Sequence, residues 1–230
     1  MEDLKRAVAE RAVTEYVESG MVLGLGTGST ASFAVRKIGE LISGGSLKDV
    51  RGIPTSARTA ALAEEAGIPL TTLSEVWPCL TIDGADEVGP DLVLIKGYGG
   101  ALLREKIVAY ASDTLVVVVD ESKLVESLGA GPLPVEIEPF GWEATLDALA
   151  SLGCKPELRM DPTDTEHPYV TDGGHYIADC QFASIPDPTA LEGEIKSIPG
   201  ALECGLFVGL ARTVVVGRED GVEIIEAESG

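Results

Sequence analysis

The feature that most constrains this sequence is a run of β-branched residues, "TLVVVVD", at residues 114–120. A strand with one face in water alternates apolar and polar residues, whereas this run is apolar on both faces. Strands of this kind lie inside parallel sheets that helices cover on both sides. The run therefore predicts an α/β fold built around a buried, mainly parallel sheet.

The segments before this run alternate between strands and helices, as a parallel sheet requires. Short apolar runs predict strands at residues 21–26, 50–56, 79–83 and 91–97. Helical periodicity predicts helices at residues 4–19, 29–43, 57–67 and 99–112. The order predicts a doubly wound, Rossmann-like domain.

The composition changes after residue 129, where "GAGPLPVEIEPF" is rich in glycine and proline. The pattern that follows is strand, helix, three strands, helix and strand, with "YVTD" at residues 169–172 as one of the three strands. This order predicts a smaller ferredoxin-like α+β lid domain. We expect a catalytic domain at residues 1–129 plus 206–230 and a lid domain at residues 130–205.

The charge balance excludes some classes of partner. The chain has 17 basic and 38 acidic residues, for a net charge of −21, which argues against a nucleic-acid partner. Mean hydropathy of +0.19 argues against disorder. No run of 18 apolar residues is present, so no membrane partner is expected, and the charged N-terminal stretch lacks a signal core. These features predict a cytoplasmic enzyme, and the four cysteines, none in a CxxC pair, predict reduced thiols.

The loop "GLGTGST" lies between a predicted strand and a predicted helix, where backbone N–H groups can hold an anion. A dinucleotide fingerprint needs a glycine where Ser29 stands, and a Walker A loop needs a lysine where Gly28 stands. Thr27, Ser29 and Thr30 would add hydroxyl donors to a small phosphate or carboxylate site. The alternative is a glycine-rich turn with a Ser/Thr helix cap.

The segment "IDGADE" places Asp83, Asp86 and Glu87 at the end of a predicted strand. Ligands bind beyond the carboxyl ends of strands in doubly wound folds. The three acids could be metal ligands, although Lys96 at the end of the next predicted strand weakens that interpretation. An Asx turn with a helix cap is the alternative.

The segment "KGYGGALLREK" begins at Lys96 and introduces a helix that carries Glu105. On a helical wheel Glu105 falls on a small, apolar face, where desolvation would raise the pKa of a general base. Pairing of Glu105 with a neighbouring arginine or lysine, as in most helical glutamates, is the alternative. In "DESK", Lys123 follows the valine-rich strand and is a candidate anion contact.

The four loops share one edge of the predicted sheet and supply an anion cradle, aspartates, lysines and one buried glutamate. This set suits proton transfer beside a carbonyl of a phosphorylated sugar, with lysine and N–H groups stabilising an enediolate. A sugar-phosphate sensor and a metal-dependent isomerase are the competing interpretations. The absence of a basic helix-turn-helix segment, and Glu105 together with Asp83, argue against the sensor.

The motifs "GLGTGST", "IDGADE", "KGYGGALLREK", "DESK" and "PLPVEI" closely resemble those of type A ribose-5-phosphate isomerases, over essentially the whole chain. The resemblance implies interconversion of D-ribose 5-phosphate and D-ribulose 5-phosphate in the non-oxidative pentose phosphate pathway. It implies no metal, no cofactor, and a homodimer or homotetramer.

The resemblance also implies roles for individual residues. Glu105 would move the proton between C1 and C2, Asp83 would act in ring opening and hydroxyl proton exchange, and Lys96 would contact the sugar oxygens. Lys5 would help to hold the phosphate. The implied substrate-binding set is Thr27, Gly28, Ser29, Thr30, Asp83, Gly84, Ala85, Asp86, Lys96, Gly97, Tyr98, Gly99 and Lys123. Tyr98 departs from the family, which usually has glycine there, and its ring must fit beside Gly97 and Gly99.

The net charge of −21 leads to the hypothesis of a halophilic source, because salt screens repulsion between surface charges. We expect the protein to unfold when it is dialysed from molar KCl to low salt, as followed by circular dichroism. Unchanged stability in low salt would contradict the hypothesis.

Overall fold

The valine-rich run forms a strand inside the central sheet, and its Val116, Val117 and Val118 side chains are fully buried. The structure is a computed structural model that describes residues 2–227. The sequence prediction of a strand buried on both faces is confirmed at this position.

The helices of the described chain alternate with strands through its first half. They are α1 (Glu2–Tyr16), α2 (Ala31–Ser43), α3 (Ala57–Glu65), α4 (Leu102–Ala111), α5 (Trp142–Ala150) and α6 (Pro188–Lys196). The strands are β1 (Val22–Leu25), β2 (Arg51–Pro54), β3 (Leu80–Asp83), β4 (Glu87–Val88), β5 (Leu94–Ile95), β6 (Thr114–Asp120), β7 (Leu133–Ile137), β8 (Lys155–Leu158), β9 (Met160–Asp161), β10 (Asp164–Pro168), β11 (Tyr176–Gln181), β12 (Ala201–Cys204), β13 (Leu206–Phe207), β14 (Ala211–Arg218) and β15 (Gly221–Glu226).

The largest sheet has the strand order β15-β14-β6-β3-β1-β2. All neighbouring pairs are parallel except β14 with β15, which form an antiparallel hairpin. The doubly wound α/β class is therefore confirmed. Because the strands are parallel, β1, β3 and β6 end side by side at one edge of the sheet.

Helices cover both faces of this sheet. Leu23 and Leu25 of β1 belong to a core that includes residues of α1, α2 and α3. Val22, which points to the opposite face, packs with Ile53 and with Val108 of α4. The apolar strands predicted from the sequence thus pack against a helix layer on each face of the sheet.

The chain divides into two compact units. The first contains the residues up to Ala85, Arg104–Leu124 and those from Gly209 onward, and the second contains Asp86–Leu103 and Val125–Val208. The expected domains, residues 1–129 plus 206–230 and residues 130–205, differ from these units chiefly because residues 86–103 cluster with the second. That division stays a prediction, and its residues 1 and 228–230 lie outside the described part of the chain.

The second unit contains a four-stranded antiparallel sheet in the order β12-β7-β11-β8. The chain order β7-α5-β8-β11-α6-β12 with this strand order is the ferredoxin-like arrangement that the sequence predicts. The predicted strand at residues 169–172 is wrong. Thr171 instead enters a turn in which its N–H donates to the His175 carbonyl oxygen at 2.9 Å, and the extra pairing comes from β9 with β10.

A three-stranded sheet, β13-β5-β4, completes the second unit. The strand predicted at residues 91–97 is reduced to Leu94–Ile95, because a 3₁₀ helix occupies Pro90–Leu92. Lys96 therefore stands directly after a very short, fully buried strand.

Two further sequence expectations concern the chain as a whole. No helix in the described residues is long and apolar enough to cross a membrane. All four cysteines are free thiols, with Cys180 and Cys204 buried.

Core packing against the large sheet leads to a stability prediction. Ile38 of α2 is 1% exposed within the main core, whereas Ile107 of α4 is 47% exposed. We expect Ile38→Ala to lower the free energy of unfolding by roughly 2–5 kcal/mol, because it removes apolar contacts and leaves a cavity. The matched change Ile107→Ala should alter it by less than about 0.5 kcal/mol. Urea unfolding of both variants makes the comparison, and equal losses would contradict the core assignment.

Candidate active site

The carboxyl edge of the large sheet collects several of the predicted site residues. The loop that contains Thr27 and Ser29 follows β1, Asp83 is the last residue of β3, and Lys123 ends the 3₁₀ helix that follows β6. Since β3 lies between β1 and β6, the three strand ends are neighbours. This is the edge where doubly wound folds bind their ligands.

Asp83 is held by backbone groups of two loops. Its Oδ1 atom accepts hydrogen bonds from the N–H of Thr27 at 3.1 Å and from the N–H of Gly84 at 2.7 Å. The carboxylate is 1% exposed, so these bonds compensate for its removal from water. Gly26 makes this approach possible, because a Cβ there would lie 2.3 Å from Asp83 Oδ1.

Thr27 has a different side-chain role from the one expected. Its hydroxyl lies within 2.9 Å of the Thr55, Ser56 and Thr59 hydroxyl oxygens and is buried with them. This cluster ties the loop after β1 to the start of α3. The Thr27 hydroxyl is thus occupied within the protein, whereas its backbone N–H binds Asp83.

The N-terminus of α2 has no side-chain cap from the residue at its N-cap position. Thr30 occupies the N-cap position, yet its side chain makes no capping hydrogen bond to any described residue. Gly28 has a φ of +134°, which a residue with a side chain rarely adopts. The alternative of a Ser/Thr cap is therefore wrong for Thr30, and the anion-loop interpretation gains support.

Cations surround the exposed side of this loop. Lys5 of α1 donates a hydrogen bond from Nζ to Ser29 Oγ at 2.9 Å. Beside them lies a cavity of about 460 Å³, which Arg6 and Arg36 also line. In a chain with a net charge of −21, this is a local concentration of positive charge next to a helix N-terminus. The sequence reasoning included Lys5 and missed both arginines, because they come from two helices that only the fold brings together.

Glu105 lies in the first turn of α4 and is 4% exposed. Its neighbours on the predicted apolar face, Leu102, Val108 and Ala109, are buried as well. The Glu105 carboxylate is thus buried on a helix face whose neighbouring positions are apolar.

The direction of α4 places Glu105 toward the carboxyl edge of the sheet. Just past the helix end, the Asp113 N–H donates to the Pro78 carbonyl oxygen, before β3 begins, at 3.3 Å. Val108 packs against Gly24 in the middle of β1, where a Cβ would lie 2.7 Å from Val108 Cγ1. Moving back along the helix therefore moves toward the strand ends, and Glu105 lies about 4.5 Å beyond Val108 in that direction.

In the second unit, Lys96 is a buried cation. It is 3% exposed, and its Nζ atom lies 5.5 Å from the centroid of the Phe207 ring. The Lys96 N–H donates to the Gly205 carbonyl oxygen at 2.9 Å. The ring and the backbone contact hold the lysine at the end of β5, where the sequence predicts it.

Asp86 and Tyr98 define the loop that follows Lys96. Asp86 Oδ2 accepts a hydrogen bond from the Tyr98 N–H at 2.9 Å. The Tyr98 hydroxyl lies against Gly131, where a Cβ would come within 1.9 Å of the phenol oxygen. Glycine at position 131 therefore leaves room for the tyrosine. Burial, and then the carboxylates of Glu87 and Asp86, raise the pKa of Tyr98, so that its hydroxyl stays protonated. The tyrosine at this unusual position is therefore accommodated as a half-buried, neutral side chain.

The comparisons with known proteins agree with this architecture. A model of the family described as Ribose 5-phosphate isomerase A (phosphoriboisomerase A) matches residues 51–221. The chain belongs to this family. The reaction is therefore the interconversion of D-ribose 5-phosphate and D-ribulose 5-phosphate, as the resemblance predicts, and a sugar phosphate is the substrate.

Curated relatives named ribose-5-phosphate isomerase A match along the full length. The protein of Gloeobacter violaceus is 56% identical over 225 residues, which cover 96% of this chain and 95% of the relative. That of Rhodopseudomonas palustris strain TIE-1 is 53% identical over 230 residues, with 98% of each chain covered.

Solved structures of ribose-5-phosphate isomerases superpose closely. The Methanocaldococcus jannaschii enzyme gives a TM-score of 0.93 at 44% identity and covers 98% of this chain and 99% of its own. A D-ribose-5-phosphate isomerase solved in complex with phospho-erythronic acid gives a TM-score of 0.95 at 41% identity, with 98% of each chain covered.

Glu87, the last residue of the IDGADE motif of this isomerase, has a structural role. The sequence predicts a structural acid here, at a helix cap or on the surface; the structural role agrees with its contacts, whereas the cap and the surface position are wrong. Glu87 is 4% exposed, and its two oxygens accept hydrogen bonds from the Gly129 and Gly131 N–H groups at 2.8 and 2.7 Å. The carboxylate thereby fixes the loop before β7, and both of its oxygens are engaged by backbone.

Arg159 is a third arginine that the sequence reasoning missed; it contacts the loop that follows Lys96. Its Nη1 donates to the carbonyl oxygens of Gly97 and Tyr98 at 2.9 and 3.2 Å. The partners are separated by about 60 residues, so no local pattern indicates the contact.

The structural role of Glu87 can be tested directly. Glu87→Gln replaces one accepting oxygen with an NH₂ group that faces a backbone N–H. We expect the isomerase to lose about 1–3 kcal/mol of unfolding free energy, because a buried donor loses its acceptor. Thermal and urea unfolding measure the loss, and Glu64→Gln on the exposed side of α3 is the control. An unchanged unfolding midpoint would contradict this role.

Proposed function

We propose that Glu105 is the base that moves a proton between C1 and C2 of the sugar phosphate. The observation that supports this role is its burial on an apolar helix face directed toward the carboxyl edge of the sheet. A desolvated carboxylate is a stronger base than a hydrated one, because burial disfavours its charged form. Proton abstraction beside a carbonyl needs a base of this kind.

The chemistry proceeds through an enediolate. In the open-chain aldose, Glu105 takes the proton from C2, and the electron pair forms a C1–C2 double bond while charge develops on the C1 oxygen. Return of the proton to C1, together with transfer of the C2 hydroxyl proton to the C1 oxygen, gives the ketose. One carboxylate on one face of the substrate can perform both carbon proton transfers.

Asp83 is proposed to act in ring opening and in hydroxyl proton exchange. Its Oδ1 atom is occupied by the Thr27 and Gly84 N–H groups, which fix the orientation of the carboxylate at the end of β3. A carboxylate whose orientation is already fixed can accept a sugar hydroxyl proton without a further loss of conformational entropy. Gly84, Ala85 and Asp86 continue the proposed sugar-binding turn.

The phosphate is proposed to bind at the loop of residues 27–30. The positive φ of Gly28, the N-terminus of α2 and the Lys5–Ser29 contact support this assignment. A related isomerase was solved in complex with phospho-erythronic acid, which carries a phosphate as the substrate does.

The remaining proposed contacts involve Lys96, the loop of residues 97–99 and Lys123. A lysine ammonium stabilises the charge that develops on the enediolate oxygen. The burial of Lys96 supports this role, because a desolvated charge interacts more strongly with a developing anion. Lys123 and the backbone of Gly97, Tyr98 and Gly99 would contribute binding.

Assembly and location are finer proposals. A homodimer or homotetramer, a cytoplasmic location and the lack of a nucleic-acid partner rest on the family resemblance and on the acidic composition. Sedimentation equilibrium would measure the first of these.

The proposed base can be tested by one isosteric change. Glu105→Gln should lower kcat for ribose 5-phosphate by roughly 10²–10⁴-fold, because the amide cannot accept the proton. Calorimetric titration should still show binding of ribose 5-phosphate to the variant. Glu64→Gln is the control and should keep full turnover.

The assay is run in high salt, with and without EDTA. Normal turnover by Glu105→Gln would refute the role of Glu105, and loss of wild-type turnover in EDTA would favour the metal-dependent alternative.

A further inference from the structure

The loop of residues 96–101 has no regular secondary structure, although it carries Lys96 and three proposed substrate contacts. One internal hydrogen bond, from the Gly100 N–H to the Gly97 carbonyl oxygen at 3.0 Å, closes the turn. Gly97 has a φ of +114°, which only glycine adopts readily. A loop of this composition needs outside contacts to hold one conformation.

Arg159 supplies such contacts with one end of its guanidinium group. Nη1 donates to the Gly97 oxygen at 2.9 Å and to the Tyr98 oxygen at 3.2 Å. The Gly97 carbonyl thus receives hydrogen bonds from Arg159 and from Gly100. Two consecutive carbonyls of the loop are fixed by a single side chain.

Asp179 orients the other end of the same guanidinium. Arg159 Nε donates to Asp179 Oδ2 at 2.8 Å, and Nη2 donates to Oδ1 at 2.5 Å. The two side chains are 16% and 23% exposed, so solvent screens the pair only in part. A bidentate pair of this kind fixes the plane of the guanidinium as well as its position.

The backbone around Arg159 and Asp179 is itself rigid. Asp179 lies in β11 opposite Glu157 of β8, and Arg159 follows β8 directly. The Arg159 N–H donates to the Ile177 oxygen at 2.8 Å, and its own carbonyl accepts from the Tyr169 N–H at 2.9 Å. The ferredoxin-like sheet is therefore the support from which Arg159 reaches the loop.

We propose that Arg159 is a positioning residue that holds the loop of residues 96–99 in its substrate-binding conformation, with Asp179 orienting it. This inference rests on the proposed function of that loop. Asp86 accepts a hydrogen bond from the Tyr98 N–H, and Arg159 donates to the carbonyl oxygens of Gly97 and Tyr98. The loop is thus clamped through its donors and its acceptors.

Arginine suits this position for two reasons. It stays charged at every working pH, and its planar fork can serve a carboxylate and two carbonyls at once, which a lysine ammonium cannot do in the same geometry. Its charge also offsets the carboxylates of Asp86 and Asp179 beside the loop. Without it, the loop would face two acids and lose two hydrogen bonds.

The test compares Arg159→Gln, Arg159→Lys and Asp179→Asn with the control Lys155→Gln, which removes an exposed cation from the neighbouring strand β8. We expect kcat/KM for ribose 5-phosphate to fall by about 10²-fold in Arg159→Gln, since a displacement of about 1 Å can cost that much. KM should rise several-fold. Arg159→Lys should recover only part of the loss, Asp179→Asn should change KM in the same direction, and Lys155→Gln should match the wild type.

A second readout is independent of activity. Amide hydrogen exchange at residues 97–100 should become faster in Arg159→Gln and Asp179→Asn, while exchange within β7 and β11 stays slow. A purely structural role would instead lower the amount of folded enzyme, leave KM unchanged and speed exchange throughout the sheet, and this result would overturn the proposal. Unchanged exchange at residues 97–100 would overturn it as well.

Failure of the proposed function gives a different result. If the loop of residues 96–99 does not bind substrate, Arg159→Gln will speed its exchange but leave KM unchanged, while Glu105→Gln still abolishes turnover. If Arg159→Gln does not fold, Asp179→Asn and Arg159→Lys supply both measurements.

Discussion

The meeting of Asp83 with the loop after β1 is the contact on which the candidate site depends. A single carboxylate oxygen accepts the N–H groups of Thr27 and Gly84, and Gly26 lets the two strand ends approach. The same contact fixes the start of the proposed phosphate loop and the orientation of the proposed proton acceptor. Its buried position makes the hydrogen bonds necessary, because an unpaired carboxylate would be expensive to desolvate.

Buried acids have separate tasks in this strongly acidic protein. Asp83, Glu87 and Glu105 are each at most 4% exposed, although most other acids are solvated. Glu87 holds two backbone N–H groups of another loop and is engaged on both oxygens. Within one motif, Asp83 is proposed to act on the substrate, whereas the contacts of Glu87 are to the backbone of a loop 42 to 44 residues away.

The cations near the candidate site also differ between the two units in their exposure and in their contacts. In the first unit, Lys5 and two arginines line a surface cavity beside the proposed phosphate loop. In the second, Lys96 is buried against Phe207, and Arg159 is held by Asp179. The exposed group suits attraction of a phosphorylated substrate, whereas Lys96 and Arg159 suit fixed geometry, because their contacts hold them in place.

Local patterns determined the α/β class, the order of most elements, and the positions of Asp83, Lys96 and Glu105 relative to strand and helix ends. These features depend on periodicity and on residues close together in the chain, so the sequence contains them. The tertiary structure alone decided that Thr27 binds through its backbone, that Glu87 ties down the loop at Gly129, and that Arg159 reaches Gly97. It also decided that residues 169–172 form no strand, since Thr171 opens a turn in which it contacts His175 and Glu136. Most of these contacts join residues about 30 to 60 positions apart, and hydrogen bonds over such separations leave no periodic trace in the sequence.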